Sequence, residues 1–305
     1  MNNENIYQMV TDKIVAEMEK GIIPWQKPWK RVKGGKPMDF NFGGCISHTT
    51  GKAYSWLNQM MLGLRAGEWL TFKQCKEEGG SVKAGEKAST VVFWAFLDKT
   101  EKDEETGEET TKKIPYLKYY NVFHIDQCTG IKPRFAEEKQ VETTEDVTEV
   151  LDTIEEAENI VKAYFGREAC TLDVCDSNEA YYMPAFDKVV VPSMKQYDEK
   201  AEYYSMLFHE MTHSTGHKSR LNRLEKRAAF GSENYSKEEL VAEMGSAMLI
   251  ATAGIDSEKA FRNSVGYLQG WLKALKDDAK LIVLAAGKAE AAVKYILNGK
   301  QDNKE

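Results

Sequence analysis

Apolar residues near the N-terminus recur at helical spacing. Ile6, Met9, Val10, Ile14 and Met18 form one stripe within residues 3–20, and Gly21 follows as a helix stop. Pro24 and Pro28 forbid helix in the next segment, IIPWQKPWK. A second helix is predicted over residues 55–64. Thr90–Leu97 and Tyr116–Ile125 are rich in β-branched and aromatic residues and predict strands. The polar run Asp98–Lys113 between them reads as a long hairpin loop. Beyond it, helical spacing returns over 152–165, 198–215, 237–253, 257–276 and 278–297. Tyr181–Pro192 reads as two short strands about a turn at Pro184–Asp187. The order predicts an α+β fold in both halves: a small mixed N-terminal part with a curved antiparallel sheet, and a C-terminal layer of strands against helices.

With 305 residues, 42% hydrophobic and 29% charged, the chain has material for two domains. The stretch 137–150 is acidic and poor in large apolar residues, so it divides the chain into 1–136, an acidic linker 137–150, and 151–305. An extended, solvated linker is expected there, the lesser alternative being the solvated start of the next helix. The formal charge of -7 hides an asymmetry, because Lys20–Lys36 carries six basic residues and no acidic one. No window is apolar enough for a membrane span, and the N-terminus lacks the pattern of a secretory signal. The five cysteines form no C-x-x-C pair and fit reduced thiols, so a cytoplasmic location is expected.

The sharpest chemical signal is His209-Glu210-Met211-Thr212-His213. Residues four apart share a helix face, so both imidazoles can converge on one Zn2+. Glu210, one residue on, can face water without ligating the metal. That division of labour makes Glu210 the candidate catalytic base. A third ligand is expected from Glu239 or Glu243, one turn apart in YSKEELVAE. In zincins with a glutamate third ligand, the ligand precedes by four residues an acid that orients a histidine. That order favours Glu239 on the metal and Glu243 behind it, with the reverse left open. His217 lies four residues past His213 and competes as a ligand only if the helix runs through Gly216; otherwise it sits at the rim. Tyr181, Tyr182, Tyr235 and His217 are candidates for stabilising an oxyanion. Val189–Val191 is expected to be an edge strand for a protein or peptide substrate.

The N-terminal half carries no such constellation, but its tryptophans lie near basic residues. Trp25 and Trp29 accompany Lys27, Lys30 and Arg31, and Trp69 lies near Lys73 and Lys76. Aromatic faces beside cations suit single-stranded nucleic acid, although composition alone favours these tryptophans as core with lysines on a solvated rim.

Long ordered segments carry a further signal. IYQMVTDKIVAEMEKGIIPWQKPW, TGKAYSWLNQMML, WLTFKQCKEEGGSVKAGEKASTVVFW and YYNVFHIDQCTG, followed by YYMPAFDKVVVP, FHEMTHSTGHKSRLNR and YSKEELVAEMGSAML, resemble the ArdC antirestriction family over nearly the whole chain. The resemblance implies an N-terminal domain that binds single-stranded DNA, a C-terminal zincin-like metallopeptidase domain, and protection of a mobile element's DNA from restriction. It also implies His209 and His213 as ligands and Glu210 as base. Ser55-Trp56-Leu57-Asn58 departs from the family pattern, which has a small residue where Trp56 stands, and adds Trp56 as a stacking candidate. Two other functions are compatible with these residues. One is an intracellular zinc protease whose first domain recognises protein. The other is a DNA-binding protein with a non-catalytic metal site.

Overall fold

The computed structural model describes residues 3–26, 44–102, 109–135, 147–224, 233–261 and 268–300. Helix α1 (Asn3–Met18) ends before Gly21, whose φ of 80° is the left-handed geometry that glycine adopts without steric cost. Its stripe of Ile6, Val10, Ile14 and Met18 is buried as expected.

A four-stranded sheet follows, in the order β1 (Cys45–Ser47), β2 (Gly67–Thr71), β5 (Glu109–His124), β4 (Ser89–Lys102). The β1–β2 pair is parallel and the other two are antiparallel. The hairpin corrects the expected loop at Asp98–Lys113. Pairing continues through Asp98↔Lys113 and Thr100↔Thr111 to Lys102↔Glu109. Strand pairing of a segment whose sequence is polar at every position leaves no hydrophobic alternation to read. Helix α2 (Trp56–Met61) caps the outer edge of β4. Asn58 donates from Nδ2 to the Val92 carbonyl at 2.7 Å and accepts from the Val92 N–H at 2.8 Å, so a side-chain amide stands in for a further strand. Short α3 (Phe72–Glu77) begins in a capping box between Thr71 and Gln74. A two-stranded pair, β3 (Ser81–Val82) with β6 (Cys128–Thr129), lies beside it.

A buried polar cluster ties this half together. His48 Nδ1 meets Glu68, and its Nε2 lies 2.8 Å from Glu78 Oε2. Glu68 also accepts the backbone N–H groups of Arg134 at 3.0 Å and Phe135 at 2.8 Å. Removing one member leaves buried partners uncompensated, so Glu68→Ala is expected to cost about 3–5 kcal/mol in urea unfolding. A change below about 1 kcal/mol would mean that the cluster is dispensable.

Helix α4 (Val147–Arg167) starts inside the acidic stretch, so residues 147–150 are helical; residues 136–146 lie outside the described residues. A three-stranded sheet is ordered β7 (Thr171–Cys175), β9 (Lys188–Pro192), β8 (Tyr181–Met183). The turn at Pro184–Asp187 is as expected. The edge assignment of Val189–Val191 is corrected: β9 is the central strand, parallel to β7 and antiparallel to β8. Its unbroken run of buried valines is what a strand flanked on both sides carries. The helices α5 (Lys200–Ser214), α6 (Glu233–Ala253), α7 (Ser257–Ala260), α8 (Leu268–Asp277) and α9 (Leu281–Asn298) complete the chain. The single helix expected over 257–276 is interrupted, because Phe261 leaves helical geometry at φ -121° and ψ 25°.

One core runs through α1, α2 and the C-terminal helices, joining Ile14, Trp25 and Trp56 to Tyr164, Phe208, Met248 and Ile282. This corrects two stacking candidates. Trp25 and Trp56 are fully buried and present no face to a base. Lys73 is exposed, 3.6 Å from Glu77. Lys27, Trp29, Lys30 and Arg31 lie outside the described residues. Among the described residues, no helix is long and apolar enough to cross a membrane.

Candidate metal centre

Helix α5 is held by Tyr203, Tyr204, Leu207, Phe208 and Met211, all buried, which turns His209 and His213 to its opposite side. The two Nε2 atoms lie 3.1 Å apart. Helix α6 brings Glu239 to them: one carboxylate oxygen is 3.4 Å from His209 Nε2 and the other 3.4 Å from His213 Nε2. Close helix approach makes this reach possible. Gly245 of α6 faces Thr212 so tightly that a Cβ there would lie 2.5 Å from Thr212 Cγ2. His209, His213 and Glu239 form the one candidate metal group among the described residues, with donor atoms within 4.8 Å of one another.

The donors fit a divalent ion. Atoms held about 2.0–2.1 Å from a tetrahedral centre stand roughly 3.3–3.4 Å apart; the two histidine–Glu239 contacts match this at 3.4 Å, and the Nε2 pair is closer at 3.1 Å. Electrostatics agree. Burial alone would depress His213, but hydrogen bonds to Glu238 and Glu239 and the charge of Glu210 outweigh it and raise it to about 10. His209 is raised in the same way, chiefly by Glu239 against burial. Burial would raise Glu239, yet the two imidazoles hold it well below the usual carboxylate range. Glu243 goes the other way, because burial raises it and the neighbouring Glu239 charge adds to the effect. The α6 carboxylates are thus driven apart, one ionised against the histidines and the other raised by burial and its neighbour's charge.

Glu243 approaches the N-terminal half, where Gln26 Nε2 lies 3.5 Å from its Oε2. Glu210 is buried on α5 beside His209, and its charge acts on both histidines. His217 is not in the group of three. The helix ends at Ser214, and His217 Nδ1 lies 2.7 Å from Ser219 Oγ and 4.0 Å from Asp187 Oδ2, outside the metal group. Tyr182 donates its hydroxyl to Asp187 Oδ1 at 2.8 Å, which occupies its hydrogen. Tyr181 is exposed, and the Tyr235 side chain lies outside the described residues.

Glu238 is the residue that sequence reasoning missed. Its carboxylate stands 3.7 Å from His213 Nδ1 and is gripped by Arg223 at 2.8 Å and 3.3 Å. Arg223 also donates to Thr215 Oγ1 at 2.8 Å and to the Thr212 carbonyl at 2.9 Å, fixing the end of α5. No spacing rule joins Arg223 to Glu238, because the pair is made by tertiary packing.

Buried Arg220 braces the other side, donating to the Ser214 carbonyl at 2.8 Å and to Asp187 Oδ2 at 2.9 Å. Burial would push the Asp187 carboxyl up, but Arg220 and Tyr182 outweigh it and hold it below the usual range. The contribution is complete above the unfolded value of about 3.9 and is lost as pH falls through the lower folded value. Asp187→Asn is expected to cost about 3 kcal/mol at pH 7, and the gap to wild type should narrow in unfolding curves below about pH 4. A gap independent of pH would contradict this role.

Comparison with known proteins fits both halves of this arrangement. Residues 156–288 match a zincin-like metallopeptidase family, and residues 4–123 match the N-terminal domain of the anti-restriction factor ArdC. The crystal structure of the antirestriction protein ArdC from plasmid R388, metal-free, is 36% identical and superposes with a TM-score of 0.66 over 97% of this chain and 99% of that one. The chain belongs to the ArdC family. A second crystal structure of the R388 ArdC contains Mn(II); it is 34% identical with a TM-score of 0.67, covering 98% of this chain and 99% of that one. Among curated sequences, a DNA primase TraC of Escherichia coli is 30% identical over 306 residues, covering 95% of this chain. The chain spans about a fifth of that protein's length (20%).

Proposed function

We propose that this ArdC-family protein is an antirestriction factor of a mobile genetic element that binds single-stranded DNA and hydrolyses peptide bonds at a zinc site. The observation that carries the catalytic half is the convergence of His209, His213 and Glu239 with Glu210 retained beside them. A purely structural site needs no such base.

His209, His213 and Glu239 would hold the ion. Two imidazoles and one carboxylate suit Zn2+, which the Irving–Williams order places above Mn2+ at the same nitrogen and oxygen donors. The bound ion supplies Lewis acidity that makes water nucleophilic near pH 7 and polarises the scissile carbonyl. Glu210 takes the proton of the attacking water, keeps it in the buried site, and delivers it to the nitrogen as the C–N bond breaks. Glu238, locked by Arg223, orients His213 through Nδ1, and Glu243 supports His209 from behind. His217 belongs to the rim. With β9 central, the substrate strand would pair with an outer strand of this sheet, and β8 beside α5 is the candidate.

For the N-terminal half, the ArdC N-terminal match supports DNA as partner, and the basic stretch Lys20–Lys36 supplies a local positive charge within an acidic chain. The biological reading is tested by conjugation into paired recipients. Deleting the gene should lower plasmid transfer into a restricting recipient and leave transfer into its non-restricting twin unchanged. Equal transfer into both, with and without the gene, would rule out an antirestriction role.

A further inference from the structure

Both β4–β5 faces carry exposed aromatic rings, but Trp94, on the face of Val92 and Leu117, leans on Tyr7 of α1 with centroids 6.4 Å apart. On that face, Val92 and Leu117 are buried in the core shared with α1. On the other, Val91 and Val122 close a small core with Tyr54 and Trp69, and the face then opens. Register puts Val91 opposite Tyr120, Phe93 opposite Lys118 and Ala95 opposite Tyr116, all on this second face. Phe93 is 42% exposed and Tyr120 is 45% exposed, with ring centroids 5.7 Å apart and edge to face. Phe93 in turn leans on Tyr54 at 6.2 Å. Lys118 lies over the Tyr116 ring, its Nζ 5.5 Å from the centroid.

Exposed aromatic rings braced against one another, with a cation among them, are costly as a merely solvated surface and suited to a ligand with π faces and negative charge. Antiparallel sheets that carry exposed aromatics stack two or three unpaired bases in this manner, whereas a duplex hides its base faces. We infer that this outer face of the hairpin, with Phe93, Tyr116, Lys118 and Tyr120, is where the protein stacks the bases of single-stranded DNA. The inference rests on the DNA-binding reading above and replaces the buried Trp25 and Trp56 as its stacking residues.

The test is fluorescence anisotropy of the full-length protein with labelled oligothymidylate at two salt concentrations. Phe93→Ala and Tyr120→Ala should each weaken binding by about 5- to 150-fold, while Phe93→Tyr keeps the ring and near wild-type affinity. Lys118→Gln should lower the slope of log affinity against log salt by about one. Unchanged metal uptake in these variants would show that they fold. Wild-type affinity in the Phe93→Ala/Tyr120→Ala double variant would overturn the inference, leave the DNA-binding reading standing, and assign the face to a protein partner. No binding by the wild-type protein would overturn both.

Discussion

Replacing Glu210 with glutamine is expected to slow peptide hydrolysis by about 10²–10⁴-fold while metal content stays at the wild-type level. Glu210 lies on α5 next to one ligand candidate but outside the group of three that converge. Glutamine matches its shape in a buried site, so helix packing should survive. What it loses is the ability to accept a proton, which enters only as water attacks. The defect should therefore fall on kcat and leave KM little changed. Loss of metal together with activity would place Glu210 in the metal's coordination and remove it as the base. Undiminished turnover would remove it from the mechanism altogether.

Glu239→Ala is expected to weaken Zn2+ binding by more than about 100-fold, beyond the 10- to 100-fold typical of residues that only orient a ligand. Each of its oxygens faces one histidine at 3.4 Å, and the two imidazoles keep it ionised. Glu243→Gln should cost less, because Glu243 is outside the converging group and its carboxylate contacts Gln26. Competition with a chromophoric chelator measures both. A larger loss in Glu243→Gln would reverse the assignment of the two carboxylates. The pH dependence has a defined sign. His213 lies near 10 in the metal-free protein, so it carries a proton at pH 7 that the ion must displace. Affinity should rise with pH, and calorimetry in buffers of different ionisation enthalpy should record proton release.

How much of this was legible in the sequence follows from where the information resides. Helix α5 could be read because its apolar stripe and its histidines share one period, and helix geometry alone carries the histidines to one face. Glu239 could be placed on a second helix, but its reach to the histidines depends on Gly245 nesting against Thr212, a contact between segments that no spacing encodes. Glu238 and Arg223 were invisible for the same reason. Sheet order was the weakest point. The valines of β9 read as a strand, but only pairing with β7 shows that it is central, and β7 is half exposed with no run of its own. The outer hairpin was hidden by polarity on both faces. Tryptophan near lysine was misleading at Trp25, and the departure from the family pattern was misleading at Trp56, since neither separates a buried ring from a stacking one; the exposed rings of Phe93 and Tyr120 lay inside a segment already explained as strand.

The central claim is that the metal group is catalytic and more than a brace between α5 and α6. Its most direct test is mass-spectrometric analysis of an unbiased peptide library incubated with the wild-type protein carrying one equivalent of Zn2+, after chelation, and after Zn2+ is restored. Cleavage that is lost on chelation and returns with the metal is the expected result. An intact library, with the site saturated, would contradict it and leave a DNA-binding protein with a non-catalytic metal site.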